Sequence, residues 1–450
     1  MELNELTAIS SVDGRYRKNT SLLSEYFSEY GFIKLRVEIE IEYLITLLPQ
    51  IGKKITKEEE KILRKLWQEF SPVDAQKVKD HEKTIKHDIK AIEYFIQEKL
   101  GENFKNLISF INFGLTSYDV NIPAYALALK ETNEKILLPT LSDLEKKLVS
   151  FALENAGLVM LGRTHGQPAV PTTLGKEIKN FTMRIKKTLN RINNYKFEAK
   201  LNGAVGNFNA MVAAYPKTNW VKFSDNFLKS LGLVPNHFTT QILPYDNWLE
   251  YFLQLKLLNN ILIGFCQDVW RYISDDFFIQ IPTAGEVGSS TMPQKVNPID
   301  FENAEGNLGV ANAFFEFYER KLPVSRLQRD LSDSTVKRTF GVALAHSLFA
   351  YQNILAGLGK IIPNKVKMEE DLENHWECLA EGIQTILRVE GVPDAYEKLK
   401  ELTRGKKITK EILQKFITGL KVSKQAKEKL LKLSPQSYIG LAKELACLPP

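Results

Sequence analysis

Apolar residues recur at steps of three and four along most of this chain, which is the period of an amphipathic α-helix. The pattern is clear in residues 171–200, where the apolar positions are Leu174, Ile178, Phe181, Ile185, Leu189 and Ile192. We expect Pro171 just inside the start of this helix, where the missing N–H of proline is tolerated. Alternating strand patterns are scarce, so the sequence predicts an all-α fold.

Four further segments have the helical period, at residues 118–155, 245–275, 298–320 and 333–361. The first contains Pro123 near its start and Pro139 in its interior. An interior proline removes a backbone hydrogen bond, so we expect a kink at Pro139. A helix of about 30 residues is about 45 Å long and can form the axis of a bundle.

Segment 245–275 is apolar over much of its circumference. Its apolar positions include Leu253, Leu255, Leu257, Leu258, Ile261, Leu262, Ile263 and Phe265. A helix that is apolar on every side must be covered on every side. We therefore infer that several copies of the chain associate.

Two domain boundaries are indicated, one near residue 110 and one near residue 362. They divide the chain into an N-terminal helical domain at 1–111, a central long-helix bundle at 112–362 and a C-terminal helical domain at 363–450. The last domain is rich in lysine, and we expect its charges to form a solvated face.

A polar segment at 284–298 separates two of the helical patterns. It contains two glycines, two prolines and three hydroxyl side chains, with no amphipathic period. An activated serine can take or give a proton, Lys295 can neutralise a carboxylate, and Asn297 can hydrogen-bond one. By itself this composition also fits a surface turn, but a glycine-hinged loop between rigid helices is typical of a mobile active-site lid.

The bulk composition is that of an ordinary globular protein, with 44% hydrophobic and 25% charged residues. The net charge of +6 does not imply nucleic acid and fits a polyanionic small substrate at least as well. The three cysteines are far apart, so neither a disulfide framework nor a zinc site is indicated. With no signal peptide and no apolar run of about 18 residues, we expect a soluble cytoplasmic protein that has no membrane partner.

Two histidines stand in polar settings. His165 lies in a polar turn that we expect just before a helix, and histidine is a suitable general acid near neutral pH. His87 precedes Asp88 where a helical pattern begins. That pair is equally compatible with a helix-end role and with a role in a site.

Arginine and hydroxyl side chains form two candidate anion-binding clusters. Arg15 and Tyr16 follow a turn signal. A second cluster, just before a helix and in its first turns, consists of Arg329, Ser334, Thr335 and Arg338. Arginine forks bind carboxylate and phosphate in two places at once, and helix starts favour anions. A single arginine is usually only a surface charge, so these positions remain candidates.

The chain resembles the fumarate-releasing lyase superfamily through motifs spread over nearly its whole length. The signature is Gly288-Ser289-Ser290-Thr291-Met292-Pro293-Gln294-Lys295-Val296-Asn297-Pro298. The others are Leu6–Ser10, Val12–Tyr16, Thr116-Ser117, Arg163–Ala169, Asn202–Asn207, Thr239–Gln241, Phe301–Asn303 and the segment from Ser325-Arg326 through Asp333-Ser334-Thr335. The resemblance is greatest to adenylosuccinate lyases of the long bacterial type, through the early Arg-Tyr pair and the block from Arg329 to Arg338.

This resemblance implies a three-domain lyase fold whose central helices associate into a homotetramer with shared active sites. It implies a β-elimination that releases fumarate from adenylosuccinate, giving AMP, and from the succinylaminoimidazole carboxamide ribotide of purine biosynthesis. His165 would be the general acid and Ser289 the base, with Ser290 as the competing base. The resemblance implies no cofactor and no metal, and its partners are nucleotide substrates and further copies of the chain.

The resemblance also implies a set of substrate contacts. Phosphate and ribose would be held by Arg15, Tyr16, Arg329, Ser334 and Arg338. The succinyl carboxylates would be held by Thr116, Ser117, Gln241, Lys295 and Asn297. The remaining contacts would be Lys86, His87, Asp88, Ser290, Val296, Asn303 and Thr335. Relatives often carry Asn where Lys86 stands and His where Asn112 stands, so the contacts around phosphate and carboxylate are open at these two positions.

Two other interpretations remain. Gln294 is also compatible with an argininosuccinate-lyase-like loop. The chain could instead be a non-catalytic helical scaffold or a basic nucleic-acid binder. Intact Ser289, Lys295 and His165 argue against the scaffold, and scattered lysines with no recognised binding motif argue against nucleic acid.

Overall fold

The computed structural model describes residues 4–282, 285, 288, 290–405 and 407–449, and helices dominate them. In chain order the α-helices are α1 (Arg17–Thr20), α2 (Ser24–Phe27), α3 (Glu29–Gln50), α4 (Lys57–Gln68), α5 (Pro72–Ile85), α6 (Asp88–Leu100), α7 (Ser117–Thr132), α8 (Leu138–Glu154), α9 (Leu174–Asn193), α10 (Asn209–Ala214), α11 (Trp220–Ser230), α12 (Asp246–Ser274), α13 (Ile299–Lys321), α14 (Ser332–Lys337), α15 (Phe340–Leu358), α16 (Lys365–Glu373), α17 (Ala380–Val389), α18 (Ala395–Thr403), α19 (Lys410–Thr418), α20 (Lys424–Leu431) and α21 (Ala442–Cys447). The strands are β1 (Val159–Thr164), β2 (Gln167–Thr173), β3 (Glu198–Ala199), β4 (Val234–Pro235), β5 (Phe278–Gln280) and β6 (Ile361–Pro363). The predicted all-α fold is therefore confirmed, with the strands as small additions.

The chain divides into two compact units. Unit 1 comprises the residues up to Leu141, together with Thr188–Asn260 and Gly306–Gln352. Unit 2 comprises Ser142–Lys187, Ile261–Glu305 and the residues from Asn353 onward. The three-domain division at residues 111 and 362 stays a prediction.

The apolar stripe predicted for residues 171–200 lies on helix α9, and all six of its positions are buried. The helix begins at Leu174, so the prediction that Pro171 starts it is wrong. Pro171 lies in β2 and pairs with Leu161 of β1 in an antiparallel hairpin. A two-stranded hairpin has two edge strands, and an edge strand tolerates a residue without an N–H.

Two of the predicted long helices are divided. Segment 118–155 contains α7, a π-helical turn at Asn133–Leu137 and then α8. Pro139 is the second residue of α8, so the interruption directly precedes the proline that cannot donate a hydrogen bond. Segment 333–361 is divided between α14, which ends at Lys337, and α15, which begins at Phe340.

The long helix α12 buries only part of its apolar surface. Leu255 and Leu258 are fully buried, whereas Leu253, Leu257 and Trp270 are 36%, 43% and 44% exposed. The association of several chains that this pattern predicts is untested.

Among the helices that the structure describes, none is long and apolar enough to cross a membrane.

Candidate active site

A cavity of about 470 Å³ in unit 1 brings together seven of the predicted site residues. They are Lys86, His87, Asp88, Ser117, Arg329, Ser334 and Arg338. The cavity is also lined by residues that the sequence reasoning did not select, among them Arg36, Tyr118, Asn121, Tyr125 and Lys337. We call it the unit 1 cavity.

The junction of α5 and α6 forms one wall of the unit 1 cavity. Lys86 ends α5 in the left-handed region, at φ 59°, so the chain turns sharply there. His87 is the N-cap of α6, and its Nδ1 accepts a hydrogen bond from the backbone N of Lys90 at 3.2 Å. The prediction that a helix begins at this point is confirmed. The wall therefore presents a cation, an imidazole and the positive end of a helix dipole.

Arg36 is a buried cation in the lining of this cavity. Its Nη2 donates to Asp88 Oδ2 at 2.8 Å, and its Nε donates to Asn121 Oδ1 at 2.7 Å. Although burial raises the pKa of Asp88, the charge of Arg36 holds it below its usual value. A charged residue among the mostly apolar buried positions of α3 is the sequence signal that could have identified Arg36.

Lys337 at the end of α14 lines the unit 1 cavity and belongs to a buried cluster of polar side chains. Its Nζ lies 2.5 Å from Asp333 Oδ2 and donates to the hydroxyl of Tyr245. The same carboxylate accepts hydrogen bonds from the hydroxyls of Tyr118 and Tyr245 at 2.9 and 2.6 Å. Burial lowers the pKa of Lys337 to about 8, although Asp333 favours its charged form. This cluster fixes the helix from which Ser334 extends.

Gln241 is connected to the unit 1 cavity through Arg329. The Arg329 Nη1 donates to Gln241 Oε1 at 2.7 Å, and the Arg329 guanidinium lies 4.2 Å from the ring centroid of Tyr118. The Gln241 Nε2 donates to the carbonyl of Ala204 at 3.2 Å. Gln241, which we predict to bind a carboxylate, and Arg329, which we predict to bind the phosphate, are therefore adjacent.

Thr116 and Ser117 line a smaller cavity of about 390 Å³ in the same unit. His87, Lys90, Glu93 and Asn112 are also in its lining, and Ser117 and His87 line both cavities. Arg15, Tyr16 and Thr335 are described residues that line neither cavity. Tyr16 instead stacks on Phe349, with ring centroids 4.1 Å apart.

His165 is exposed at the tip of the β1–β2 hairpin in unit 2. His165 and Gly166 have φ values of 54° and 72°, which form the turn. The turn precedes a strand, so the expectation of a helix directly after it is wrong. Arg163 Nη2 donates to Asp371 Oδ2 at 2.9 Å, which ties this hairpin to α16 within unit 2.

The signature loop is also in unit 2, and its Ser289 lies outside the described residues. Residues 290–298 contain neither helix nor strand, which confirms the predicted loop over that range. Asn297 Nδ2 donates to the carbonyl of Gly288 at 2.6 Å, and Gln280 Nε2 donates to that of Val296 at 2.7 Å. Ser290, Lys295 and Asn303 are exposed.

Comparison with known proteins decides the family. Residues 14–312 match the family model described as "Lyase", and residues 325–439 match the one described as "Adenylosuccinate lyase C-terminal". The chain is 47% identical to adenylosuccinate lyase of Legionella pneumophila (strain Philadelphia 1) over 99% of each chain. It is 45% identical to that of Escherichia coli (strain K12) over 98% of each chain. The chain belongs to the adenylosuccinate lyase family.

Solved structures show the same fold at low identity. A fumarate lyase from Mesorhizobium sp. BNC1 matches with a TM-score of 0.75 and 17% identity, over 95% of this chain and 97% of that one. The 3-carboxy-cis,cis-muconate lactonizing enzyme from Pseudomonas putida matches with a TM-score of 0.76 and 16% identity, over 95% and 96%. This chain, a member of the adenylosuccinate lyase family, therefore has the fold of the fumarate lyase superfamily.

Asn112, where the resemblance leads us to expect histidine, has a defined partner in this member of the adenylosuccinate lyase family. It adopts φ 54°, a region that asparagine tolerates better than most residues, and its Nδ2 donates to Glu40 Oε1 at 2.8 Å. Burial raises the pKa of Glu40 to about 8.

Within the described part of the chain, no group of three or more His, Cys, Asp or Glu residues is arranged to hold a metal ion.

Proposed function

We propose that this protein releases fumarate by β-elimination from adenylosuccinate, giving AMP, and from succinylaminoimidazole carboxamide ribotide, giving the carboxamide ribotide. The observation that carries the proposal is the unit 1 cavity of a chain in the adenylosuccinate lyase family. Its lining combines Arg36, Lys86, Arg329, Lys337 and Arg338 with tyrosine rings. Such a lining suits a substrate that has a phosphate and two carboxylates attached to an aromatic base.

The unit 1 cavity would bind the nucleotide. Arginine forks at Arg329 and Arg338, with the Ser334 hydroxyl between them on α14, offer several donors to a phosphate. The Arg329–Gln241 contact and the Thr116-Ser117 start of α7 would hold the succinyl carboxylates near the phosphate contacts. Arg15, Tyr16 and Thr335 would contact the nucleotide outside the cavity lining.

His165 and Ser289 would carry the proton transfers. Ser289 removes a proton from the carbon beside one carboxylate, and Lys295 stabilises the negative charge of the resulting aci-carboxylate. Collapse of this intermediate forms the double bond of fumarate and breaks the C–N bond. His165 gives its proton to the departing nitrogen, since an imidazolium is a competent acid near neutral pH. Ser290, Val296, Asn297 and Asn303 would complete the loop side of the site.

We further propose that the active protein is a homotetramer in which different chains contribute to one site. The exposed apolar side chains of α12 support this proposal, because Leu253, Leu257 and Trp270 would be covered by further copies. A symmetric assembly would hold several identical composite sites.

The experiment is a direct assay of fumarate formation from adenylosuccinate, with argininosuccinate measured in parallel. We expect fumarate and AMP in equal amounts from adenylosuccinate and no product from argininosuccinate. Fumarate from argininosuccinate alone would assign the chain to the other activity of the superfamily. No fumarate from either substrate would contradict the proposal.

A further inference from the structure

Asp119 and Lys200 form a buried ion pair in unit 1. Both side chains are 0% exposed, and Lys200 Nζ lies 2.8 Å from Asp119 Oδ1. Neither residue lines the unit 1 cavity or the smaller cavity beside it. Burying two charges is costly and is weak evidence for a contribution to stability. The pair is better understood from what its atoms hold.

Asp119 connects the start of α7 to a loop that is distant in sequence. Its Oδ2 accepts from the backbone N of Thr116 at 2.9 Å and from that of Gly203 at 3.0 Å. Its Oδ1 accepts from the backbone N of Asn202 at 3.0 Å. Lys200 completes the arrangement by donating to the carbonyl of Gly203 at 3.1 Å. One carboxylate thus fixes two backbone segments relative to each other.

The second segment continues to Gln241. Asn202 exchanges hydrogen bonds with the Thr239 hydroxyl at 2.8 and 3.0 Å. The carbonyl of Ala204 accepts from Gln241 Nε2 at 3.2 Å. A Cβ at Gly206 would lie 2.3 Å from the carbonyl oxygen of Thr239, so only glycine allows this close approach. The motif at Asn202–Asn207 is therefore the connection between Asp119 and Gln241.

Charge gives Lys200 a second role. An unpaired carboxylate bound to the backbone N of Thr116 would repel the carboxylates of the substrate, since like charges repel each other more strongly inside a protein than in water. Lys200 neutralises Asp119 without donating to the substrate itself. The carboxylate of Asp119 can then hold the backbone as a strong acceptor without adding a net negative charge to the site.

We propose that Asp119 and Lys200 are a positioning pair that holds Thr116, Ser117 and Gln241 in the arrangement that binds the succinyl carboxylates. The inference rests on the proposed function, in which these three residues contact the succinyl group. The pair acts through the backbone and through charge balance. It takes no part in proton transfer.

The test compares Lys200→Met, Lys200→Arg and the double variant Asp119→Asn/Lys200→Met in the full-length protein. Two readouts are used, namely steady-state kinetics with adenylosuccinate and calorimetric binding of AMP alone and of fumarate in the presence of AMP. The matched control is Arg64→Met, which breaks the Arg64–Glu42 pair on α3 and α4, outside the lining of the unit 1 cavity. Arg64→Met is expected to leave KM unchanged.

Lys200→Met is expected to raise the KM for adenylosuccinate and the Kd for fumarate about 10- to 100-fold, the loss that corresponds to a hydrogen bond to a charged group. The Kd for AMP and kcat should change less than about threefold. The lost interaction concerns only the succinyl end of the substrate, and it stabilises the bound substrate and the transition state equally. The double variant should bind fumarate more tightly than Lys200→Met, since it carries no unpaired charge. Lys200→Arg should recover most of the affinity.

Several outcomes would overturn the inference. One is equal weakening of AMP and fumarate binding, which indicates general loss of structure. Another is fumarate binding in Lys200→Met that matches wild type. If Lys200→Met does not fold, the double variant and Lys200→Arg are compared instead. The role of charge would be contradicted if Lys200→Arg bound fumarate more weakly than the neutral double variant does. A wild-type protein that binds fumarate but releases none from adenylosuccinate would contradict the proposed function and not this inference.

Discussion

Glu40 is a carboxyl group with almost no access to water. It lies on α3 and is 1% exposed, and its Oε2 has no hydrogen-bond partner within the described residues. Burial, together with the negative charges of Glu93 and Asp119, raises its pKa to about 8 despite the hydrogen bond from Asn112. At neutral pH the folded protein therefore holds Glu40 mainly in its protonated form.

The raised pKa of Glu40 has a defined effect on stability. Between the ordinary value of 4.5 and the folded value of about 8, the folded state binds a proton that the unfolded state has lost. The contribution of Glu40 is therefore complete below pH 4.5 and is lost as the pH rises to about 8. We predict that Glu40→Gln, which mimics the protonated form, raises the thermal midpoint at pH 8.5 by about 2 °C or more relative to wild type. At pH 4.5 the difference should be near zero. A stabilisation that was equal at both pH values would contradict the assignment.

The catalytic pair makes a second prediction for single residues. Each proton-transfer role contributes roughly 10²- to 10⁴-fold in rate. His165→Ala and Ser289→Ala should each lower kcat by at least about 10²-fold, with unchanged circular dichroism. Ser290→Ala is the matched control for the adjacent hydroxyl and should retain most of the activity. If Ser290→Ala is inactive and Ser289→Ala is not, Ser290 is the base.

At the scale of a single element, His87 combines two functions that substitution can separate. Its Nδ1 caps α6 at the backbone N of Lys90, and its ring lines the unit 1 cavity. His87→Ala should lower the free energy of unfolding by about 1 kcal/mol through loss of the cap. His87→Asn should restore that stability, because asparagine is a good N-cap. Both variants should have a raised KM for adenylosuccinate, because both lack the imidazole ring. If His87→Asn had the KM of wild type, His87 would act only as the helix cap.

The elements that the sequence predicted well are the long, strongly periodic helices. The stripe on α9 and the extent of α12 follow from the 3.6-residue period because burial of one face decides the conformation. The β1–β2 hairpin was missed because burial does not alternate regularly along its strands and because five consecutive residues at its tip, 163–167, are exposed. The prediction for Pro171 was wrong because proline is tolerated both at the start of a helix and in an edge strand, and the local sequence does not distinguish the two.

The candidate site was predictable only in part. Motif residues such as Arg329 and His87 carry a signal in their local sequence, and the structure places both at one cavity. Lys337 and Tyr118 carry no such signal, and Arg36 shows only a charge among apolar residues of its helix, because their proximity depends on how α3, α7 and α14 pack in unit 1. The roles of all these residues in binding stay predictions.

At the scale of the whole molecule, one chain leaves apolar surface on its long helices uncovered. Leu257 on α12 and Phe317 on α13 are each 43% exposed, and Val310 is 42% exposed. Large apolar side chains that are exposed along long helices are typical of helices that pack against another copy. We therefore expect a stable homo-oligomer, and sedimentation equilibrium should give a mass close to four times that of the chain.

The oligomer leads to a prediction about where the acid and the base come from. His165 lies at the tip of a hairpin, and Ser289 belongs to the signature motif more than a hundred residues later in the sequence, so the two can belong to different chains of one site. We predict that His165→Ala and Ser289→Ala proteins, each nearly inactive alone, regain activity after they are mixed, dissociated and reassembled. Random assembly would give some sites with both native residues, and the recovered activity should reach about a quarter of wild type at most if two chains supply the pair. A mixture of His165→Ala with itself, treated identically, is the control. If verified mixed oligomers stay as inactive as their parents, both residues come from the same chain, and the composite site as proposed for the acid and base is wrong.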